Sequence, residues 1–155
     1  MNLLGLLIQD MLLASVPAVG FALVFNVPRE ALKFCALGGA LGHGLRFLLI
    51  ALTGMHVEWA TFLAATTVSM VGVYWAGHLK AHPKVFTVAA MIPMVPGVYA
   101  FTALLALVEI ERSGFSEVLL SEALENGLRA LFIIAGLGVG LAMPGLLFYR
   151  RKPLV

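Results

Sequence analysis

The chain has 155 residues, of which 61% are hydrophobic and 12% charged, with a formal net charge of +2 at pH 7 and a mean hydropathy of +1.01. Soluble domains carry roughly a quarter charged residues, and a soluble fold of this length could not bury so much apolar surface. The composition therefore excludes a soluble globular protein and predicts lipid as the solvent. The small net charge, with no basic run longer than Arg150-Arg151-Lys152, argues against a nucleic-acid partner.

Five stretches are long and apolar enough to cross a bilayer core of about 30 Å, which requires about 20 residues of α-helix. Turn-forming and charged residues separate these stretches, as in Asn26-Val27-Pro28-Arg29-Glu30. The sequence therefore predicts an all-α integral membrane protein, a single transmembrane domain over residues 1–155 with about five helices. The predicted spans cover residues 3–25, 34–53, 57–76, 85–108 and 130–149.

The longest connection between predicted spans runs from Glu109 to Arg129 and alternates acidic with apolar residues. That pattern is typical of a short amphipathic helix that lies at the membrane interface. We therefore expect a separate interfacial helix before the fifth span.

Lysine and arginine residues fall mainly on one side of the predicted helices. If the five predicted spans cross the membrane in alternating directions, one side of the membrane carries Arg29, Lys33, Lys80, Lys84, Arg150, Arg151 and Lys152. The opposite side carries only Arg112 and, at a helix edge, Arg129. Because basic loops stay in the cytoplasm, we expect the N-terminus outside and the C-terminus inside.

Two ionisable residues lie within the second predicted span, in Gly42-His43-Gly44-Leu45-Arg46. A charge at such depth costs about 2.5–3.5 kcal/mol on insertion scales, and arginine cannot shed its proton. His43 lies one turn before Arg46 on the same helical face. One interpretation is a set of donors for a carboxylate substrate. The alternative is an arginine that is permanently paired and holds helices together.

Asp10 offers a counter-charge to Arg46. Each lies about seven residues from the outer end of its helix, so at 1.5 Å per residue both reach the same depth in neighbouring antiparallel helices. We therefore expect an Asp10–Arg46 ion pair, which would neutralise two costly charges together. Asp10 would then be either a static partner or a coupling residue, one that takes up a proton or releases Arg46 to a substrate.

Two prolines and a glycine interrupt the fourth span, in Ile92-Pro93-Met94-Val95-Pro96-Gly97. Each proline removes a backbone donor and clashes with the preceding turn, at about 3 kcal/mol or more in a helix interior. We expect the helix to break at Pro93, Pro96 and Gly97 near the bilayer midplane, where transporters expose backbone groups to substrate. A simple kink is the alternative.

Glycines recur four residues apart in two predicted spans, at Gly38 and Gly42 and at Gly136 and Gly140. Such small-residue pairs let membrane helices approach closely. Patterns typical of enzymes are absent: no cysteine and histidine cluster has metal-ligand spacing, and no Ser-His-Asp pattern or phosphate-binding glycine loop occurs. We therefore expect no metal, no cofactor and no enzymatic activity.

Three segments resemble the threonine/serine exporter superfamily: DMLLASVPAVGFALVFN from Asp10, Gly42-His43-Gly44 with Arg46, and above all AHPKVFTVAAMIPMVPG from Ala81. The resemblance covers essentially the whole chain and is closest to the small, membrane-only YjjB-like subunits. These resemble the last five of the ten helices of larger, fused members and act with a separate YjjP-like membrane subunit. The resemblance implies a two-component exporter of a small carboxylate in the bacterial inner membrane. It implies succinate for that branch and threonine or serine for the fused branch.

A subunit with an odd number of helices begins on one side of the membrane and ends on the other, which gives such a pair of subunits opposite topologies. If the five helices of the partner begin inside, the two halves form an inverted repeat, a common transporter plan with its site at the interface. The alternatives are an exporter of threonine or serine, and a structural or regulatory membrane subunit without its own substrate site; a homo-oligomer is also compatible with the sequence. The candidate residues are, for substrate, Arg46, His43, Pro93, Pro96 and Gly97, and, for coupling or ion pairing, Asp10.

Overall fold

The computed structural model describes residues 2–79 and 82–148, and no strand occurs among them. The chain forms six α-helices, with a 3-10 turn at Ile92–Met94 between the fourth and fifth: α1 Leu3–Val24, α2 Arg29–Thr53, α3 Val57–Leu79, α4 Lys84–Met91, α5 Gly97–Ser113 and α6 Glu117–Phe148. The predicted all-α fold is confirmed. The predicted end of the last span at Tyr149, and the basic residues at 80 and 150–152, lie outside the described residues.

Four helices, namely α1, α2, α3 and α6, are each long and apolar enough to cross a membrane. Two shorter helices, α4 and α5, are long and apolar enough only when taken together, and they are bent by 49° at the break between them. Counting that bent pair as one span gives five, as predicted, and confirms the broken helix. The N-out, C-in orientation stays a prediction.

The separate interfacial helix expected between Glu109 and Arg129 is wrong. Residues 117–129 are the first turns of α6, which runs without interruption for 32 residues. This stretch has no proline and consists mostly of good helix formers, so nothing stops the helix before the apolar part begins. Its apolar face packs on α5, where Ala103 and Ala123 are buried, rather than on lipid headgroups.

Small side chains fill the centre of the bundle, and large apolar side chains face outwards. The buried core consists largely of alanines, whereas many leucines are exposed, with Leu4 at 66% and Leu52 at 68%. In lipid, leucine gains little by moving inside, so helices associate through close packing of small residues. The arrangement fits a protein that is surrounded by acyl chains.

Glycines bring the helices together as their spacing predicts. A Cβ added at Gly38 would lie 2.9 Å from the Cβ of Ala90 in α4, and one added at Gly140 would lie 2.8 Å from the Cβ of Ala65 in α3. One added at Gly39 would lie 2.7 Å from the Cβ of Ala18 in α1. No methyl group fits at these contacts without movement, so α1, α3 and α4 are held at short distance from α2 or α6.

The two halves of the broken span have different neighbours. Helix α4 packs on α1, α2 and α3, whereas α5 packs mainly on α6. The break is therefore held beside the middle of α2, the helix that carries His43 and Arg46.

Candidate functional site

Regular helical bonding stops at the start of the break. The 3-10 turn ends at Met94, and Val95 takes an extended conformation with φ −60° and ψ 133°. The Gly97 N–H donates to the carbonyl of Val95 at 2.8 Å instead of to Pro93, and Pro96 has no N–H to donate. The carbonyls of Pro93 and Met94 are thereby available to side chains of α2.

His43 connects α1 to the break. Its Nδ1 lies 3.3 Å and 3.4 Å from the two carboxylate oxygens of Asp10, and its Nε2 lies 3.2 Å from the carbonyl oxygen of Pro93. The side chain of His43 is 13% exposed and that of Asp10 is 34% exposed. One half-buried imidazole thus bridges two helices and the broken segment.

Arg46 completes the cluster from the next turn of α2. Its Nη1 donates to the carbonyl oxygen of Met94 at 3.5 Å, and its Nη2 lies 3.4 Å from both ring nitrogens of His43. The direct Asp10–Arg46 pair that equal depth suggested is not formed, because His43 lies between them and takes the contact with Asp10. The ionisable site is therefore a chain of three residues, Asp10–His43–Arg46.

The protons of this chain can be counted from its contacts. Both ring nitrogens of His43 face oxygen acceptors, the Asp10 carboxylate and the Pro93 carbonyl. A neutral imidazole carries one N–H, so only one of these contacts can be a hydrogen bond while Asp10 is ionised. The other ring nitrogen then carries a lone pair, which can accept from Nη2 of Arg46. The neutral ring therefore bonds one oxygen acceptor and Arg46 at the same time.

Glycines of α2 explain why these side chains meet. Gly44 lies against Met11 of α1, where an added Cβ would come within 2.8 Å of its side chain, and Gly42 lies against Met91 of α4 at 2.6 Å. These close approaches flank His43 on both sides. They bring Asp10 and the Pro93 carbonyl within reach of one imidazole.

Four of the six predicted site residues converge, and two do not. Asp10, His43 and Arg46 meet beside Pro93, which takes part through its carbonyl. Pro96 and Gly97 form the start of α5, and within the described chain neither makes a hydrogen bond to the other four. Their effect is to end α4 and free the carbonyls.

A second polar cluster lies where α3, α5 and α6 meet, and sequence reasoning did not identify it. Arg129 contacts Glu125 at 3.1 Å and Glu58 at 3.7 Å, and its guanidinium lies 5.4 Å from the ring centre of Tyr99. The spacing of four residues between Glu125 and Arg129 predicts the first contact. No local pattern predicts Glu58 or Tyr99 as partners.

Comparison with known proteins identifies the family. A family model described as "Threonine/Serine exporter, ThrE" matches residues 10–147. The chain belongs to the threonine/serine exporter family. The match runs through the described helices α1 to α6 and includes the Asp10–His43–Arg46 chain. No solved structure matches the chain.

Family membership agrees with the fold and with the chemistry of the site. Apolar helices that can cross a membrane make this exporter a membrane protein with a transport role. In the part of the chain that the structure describes, no group of three histidine, cysteine, aspartate or glutamate residues could hold a metal ion. The cluster offers the guanidinium of Arg46 and free backbone carbonyls, which suit the binding of a small charged solute.

Proposed function

We propose that this exporter is one subunit of a two-component system in the bacterial inner membrane, acts with a YjjP-like membrane subunit, and exports small carboxylates, with succinate as the principal candidate. The observation that carries the proposal is the Arg46 guanidinium, held together with the His43 imidazole beside a broken helix at the middle of the bundle. Membership of the exporter family supports the transport role. The substrate class and the partner rest on the sequence resemblance described above.

The contacts of Arg46 support a role in binding carboxylate. A guanidinium has five N–H donors, and the contacts of Arg46 to Met94 and His43, at 3.5 Å and 3.4 Å, lie at the long end of the hydrogen-bond range. A carboxylate can take two parallel bonds from such a group and gains more from it than a neutral acceptor does. Donors of Arg46 therefore remain for a substrate.

Export of threonine or serine is the second candidate, and the description of the matching family favours it. An amino acid presents a carboxylate and an ammonium group. Arg46 would then bind the carboxylate, and Asp10, a third of whose side chain is exposed, would bind the ammonium. A dicarboxylate gains nothing from Asp10. Replacement of Asp10 by Asn should accordingly raise the KM for threonine but not for succinate.

The deciding experiment is export from whole cells that express this chain with and without the YjjP-like subunit, over a panel of dicarboxylates and amino acids. We expect succinate export that requires both proteins. Export of threonine and serine without succinate would select the second candidate. Export that proceeds equally well without this chain would leave it a structural or regulatory role.

A test of the function of Arg46 requires a variant that still folds. Asp10→Asn together with Arg46→Gln removes the charges at both ends of the chain that His43 bridges, so neither substitution leaves the other charge behind in the bundle. If Arg46 binds substrate, the double variant should reach normal membrane abundance and still fail to export. Arg29→Gln, at the exposed start of the same helix, is the matched control. Full export by the double variant would make Arg46 a structural residue.

A further inference from the structure

A cavity of about 570 Å³ lies between α3, α4 and α6, near the ends of these helices that the positive-inside rule places in the cytoplasm. Its lining includes Ser69, His82, Lys84, Thr87, Leu141 and Pro144. The volume falls in the range of about 300–1,000 Å³ that is typical of small-molecule sites. Helix α2 does not contribute to it, so it is separate from the Asp10–His43–Arg46 chain.

The charged and polar groups at this cavity are donors. The backbone N–H of Lys84 donates to Nδ1 of His82 at 3.3 Å, so in the neutral ring Nε2 carries the proton and is a donor. The ammonium group of Lys84 adds three more donors. No aspartate or glutamate is among the described lining residues, and Lys84 forms no ion pair within the described chain.

The hydroxyl groups at the cavity donate their protons to backbone carbonyls. Ser69 donates to the carbonyl of Leu141 at 2.9 Å, and Thr87 donates to the carbonyl of Pro83 at 3.1 Å. Their protons are thereby used within the protein, and most of the remaining lining is apolar. The ammonium group of Lys84 and the N–H of His82, next to apolar walls, favour a small anion with a short carbon chain.

The cavity also lies beside α4, the first half of the broken span. Thr87 belongs to α4, and Met91, the last residue of that helix, follows it by one turn and is buried in the core. The same short helix thus has the cavity at one end and the Asp10–His43–Arg46 chain at the other. A solute that moves outwards along α4 would meet the two sites in that order.

We propose that this cavity is the site at which the exporter takes up its substrate anion from the cytoplasm, with Lys84 and His82 binding one carboxylate. The identity of the anion and the direction of transport rest on the function proposed above. The site itself rests on the cavity and its donors, so it can be tested without measuring transport.

Protection of an introduced cysteine from labelling gives that test. Ala142 is exposed and lines the cavity. The native Cys35 is fully buried, so the unmodified chain serves as the control for background labelling. An Ala142→Cys variant, co-assembled with the YjjP-like subunit, is treated with a membrane-impermeant maleimide in inverted and in right-side-out vesicles. We expect labelling only from the cytoplasmic face, and we expect succinate to slow it in a saturable manner.

Two lysines serve as test and control. Lys84→Gln should raise the half-protecting concentration of succinate about tenfold, because it removes a charged donor. Lys33→Gln should leave that concentration unchanged, since Lys33 is exposed in α2, lies over the ring of Phe34 and does not line the cavity. Equal protection in all three backgrounds would overturn the assignment to Lys84.

Other outcomes separate this inference from the proposed function. If neither succinate, threonine nor serine slows labelling while whole cells still export, the cavity is not the uptake site and the proposed function stands. If succinate protects but the cells export none, the site stands and the proposed function fails. Labelling confined to the outer face would overturn cytoplasmic uptake. If anionic phospholipid alone suppresses labelling and succinate adds nothing, the cavity binds lipid headgroups and the inference fails.

Discussion

A double-mutant cycle on Asp10 and His43 tests the ionisable chain most directly. The Oδ2 of Asp10 and the Nδ1 of His43 are 3.3 Å apart. Were both groups charged, they would interact at that distance by about 5 kcal/mol at an effective dielectric constant of 20. Exposure of a third of the Asp10 side chain lowers this figure. Hydrogen bonds measured between membrane helices average about 0.6 kcal/mol and reach about 1.7 kcal/mol. We therefore expect a coupling free energy of about 1–2 kcal/mol between Asp10 and His43.

The pair Asp10 and Arg46 should behave differently, because His43 lies between them. In a background that carries His43→Gln, we expect their coupling to fall to about 0.5 kcal/mol or less, the level of residues without a shared partner. The measurement is unfolding of purified Asp10→Asn, His43→Gln, Arg46→Gln and combined variants in mixed micelles, with Gln9→Ala as an exposed control on α1. Additive losses for Asp10 and His43, or a larger coupling between Asp10 and Arg46, would refute the bridged arrangement.

Three further predictions concern packing, orientation and assembly. Gly72→Ala should lower the free energy of unfolding by about 1–3 kcal/mol, because the added Cβ collides with the buried Thr87. Gly77→Ala in the same helix has nothing within 4 Å of the added Cβ, so it should be neutral or stabilising by up to about 1 kcal/mol. Equal effects of the two substitutions in thermal unfolding would contradict the packing. Reporter fusions after Ala76 and at the C-terminus should be active in the cytoplasm and one near Gly114 in the periplasm, and the reverse pattern would overturn the orientation. Liposomes that contain this chain alone should show no succinate flux until the YjjP-like subunit is added; rapid flux without it would disprove the two-subunit proposal.

Local chemistry predicts the helices and the break. Hydropathy over about 20 residues identifies a span wherever it lies in the bundle, and Pro93 with Pro96 interrupts α4 through covalent geometry alone. The start of α6 was missed because its amphipathic pattern fits two environments. The same face can contact headgroups or a neighbouring helix, and only the position of α5 shows that it packs on protein.

The depth of a residue in the membrane predicts which residues of neighbouring helices lie at the same level. It does not predict which side chains are in contact. Asp10 and Arg46 come to the same region as expected, yet the rotation of α2 places His43 next to Asp10. The carbonyl partners of the two side chains of α2, on Pro93 and Met94, depend on the backbone conformation of the break. The side chains of Met91 and Met94 at this break pack against Gly42, a long-range contact that leaves no periodic pattern in the sequence.

The different neighbours of α4 and α5 restrict how this exporter can change shape. Rigid-body movement of α5 relative to α4 must turn about the residues between Met91 and Gly97, because the dihedral angles there are not fixed by helical bonds. Helix α6 is continuous, so it must bend when α5 moves relative to α4. The bend falls between Arg129, which contacts Tyr99 of α5, and Gly136, which contacts α3. The hinge of α4 and α5 carries the two carbonyls that face His43 and Arg46. Opening of the outer half would therefore withdraw these carbonyls from both side chains at once, so His43 and Arg46 would lose their backbone acceptors in a single mechanical event.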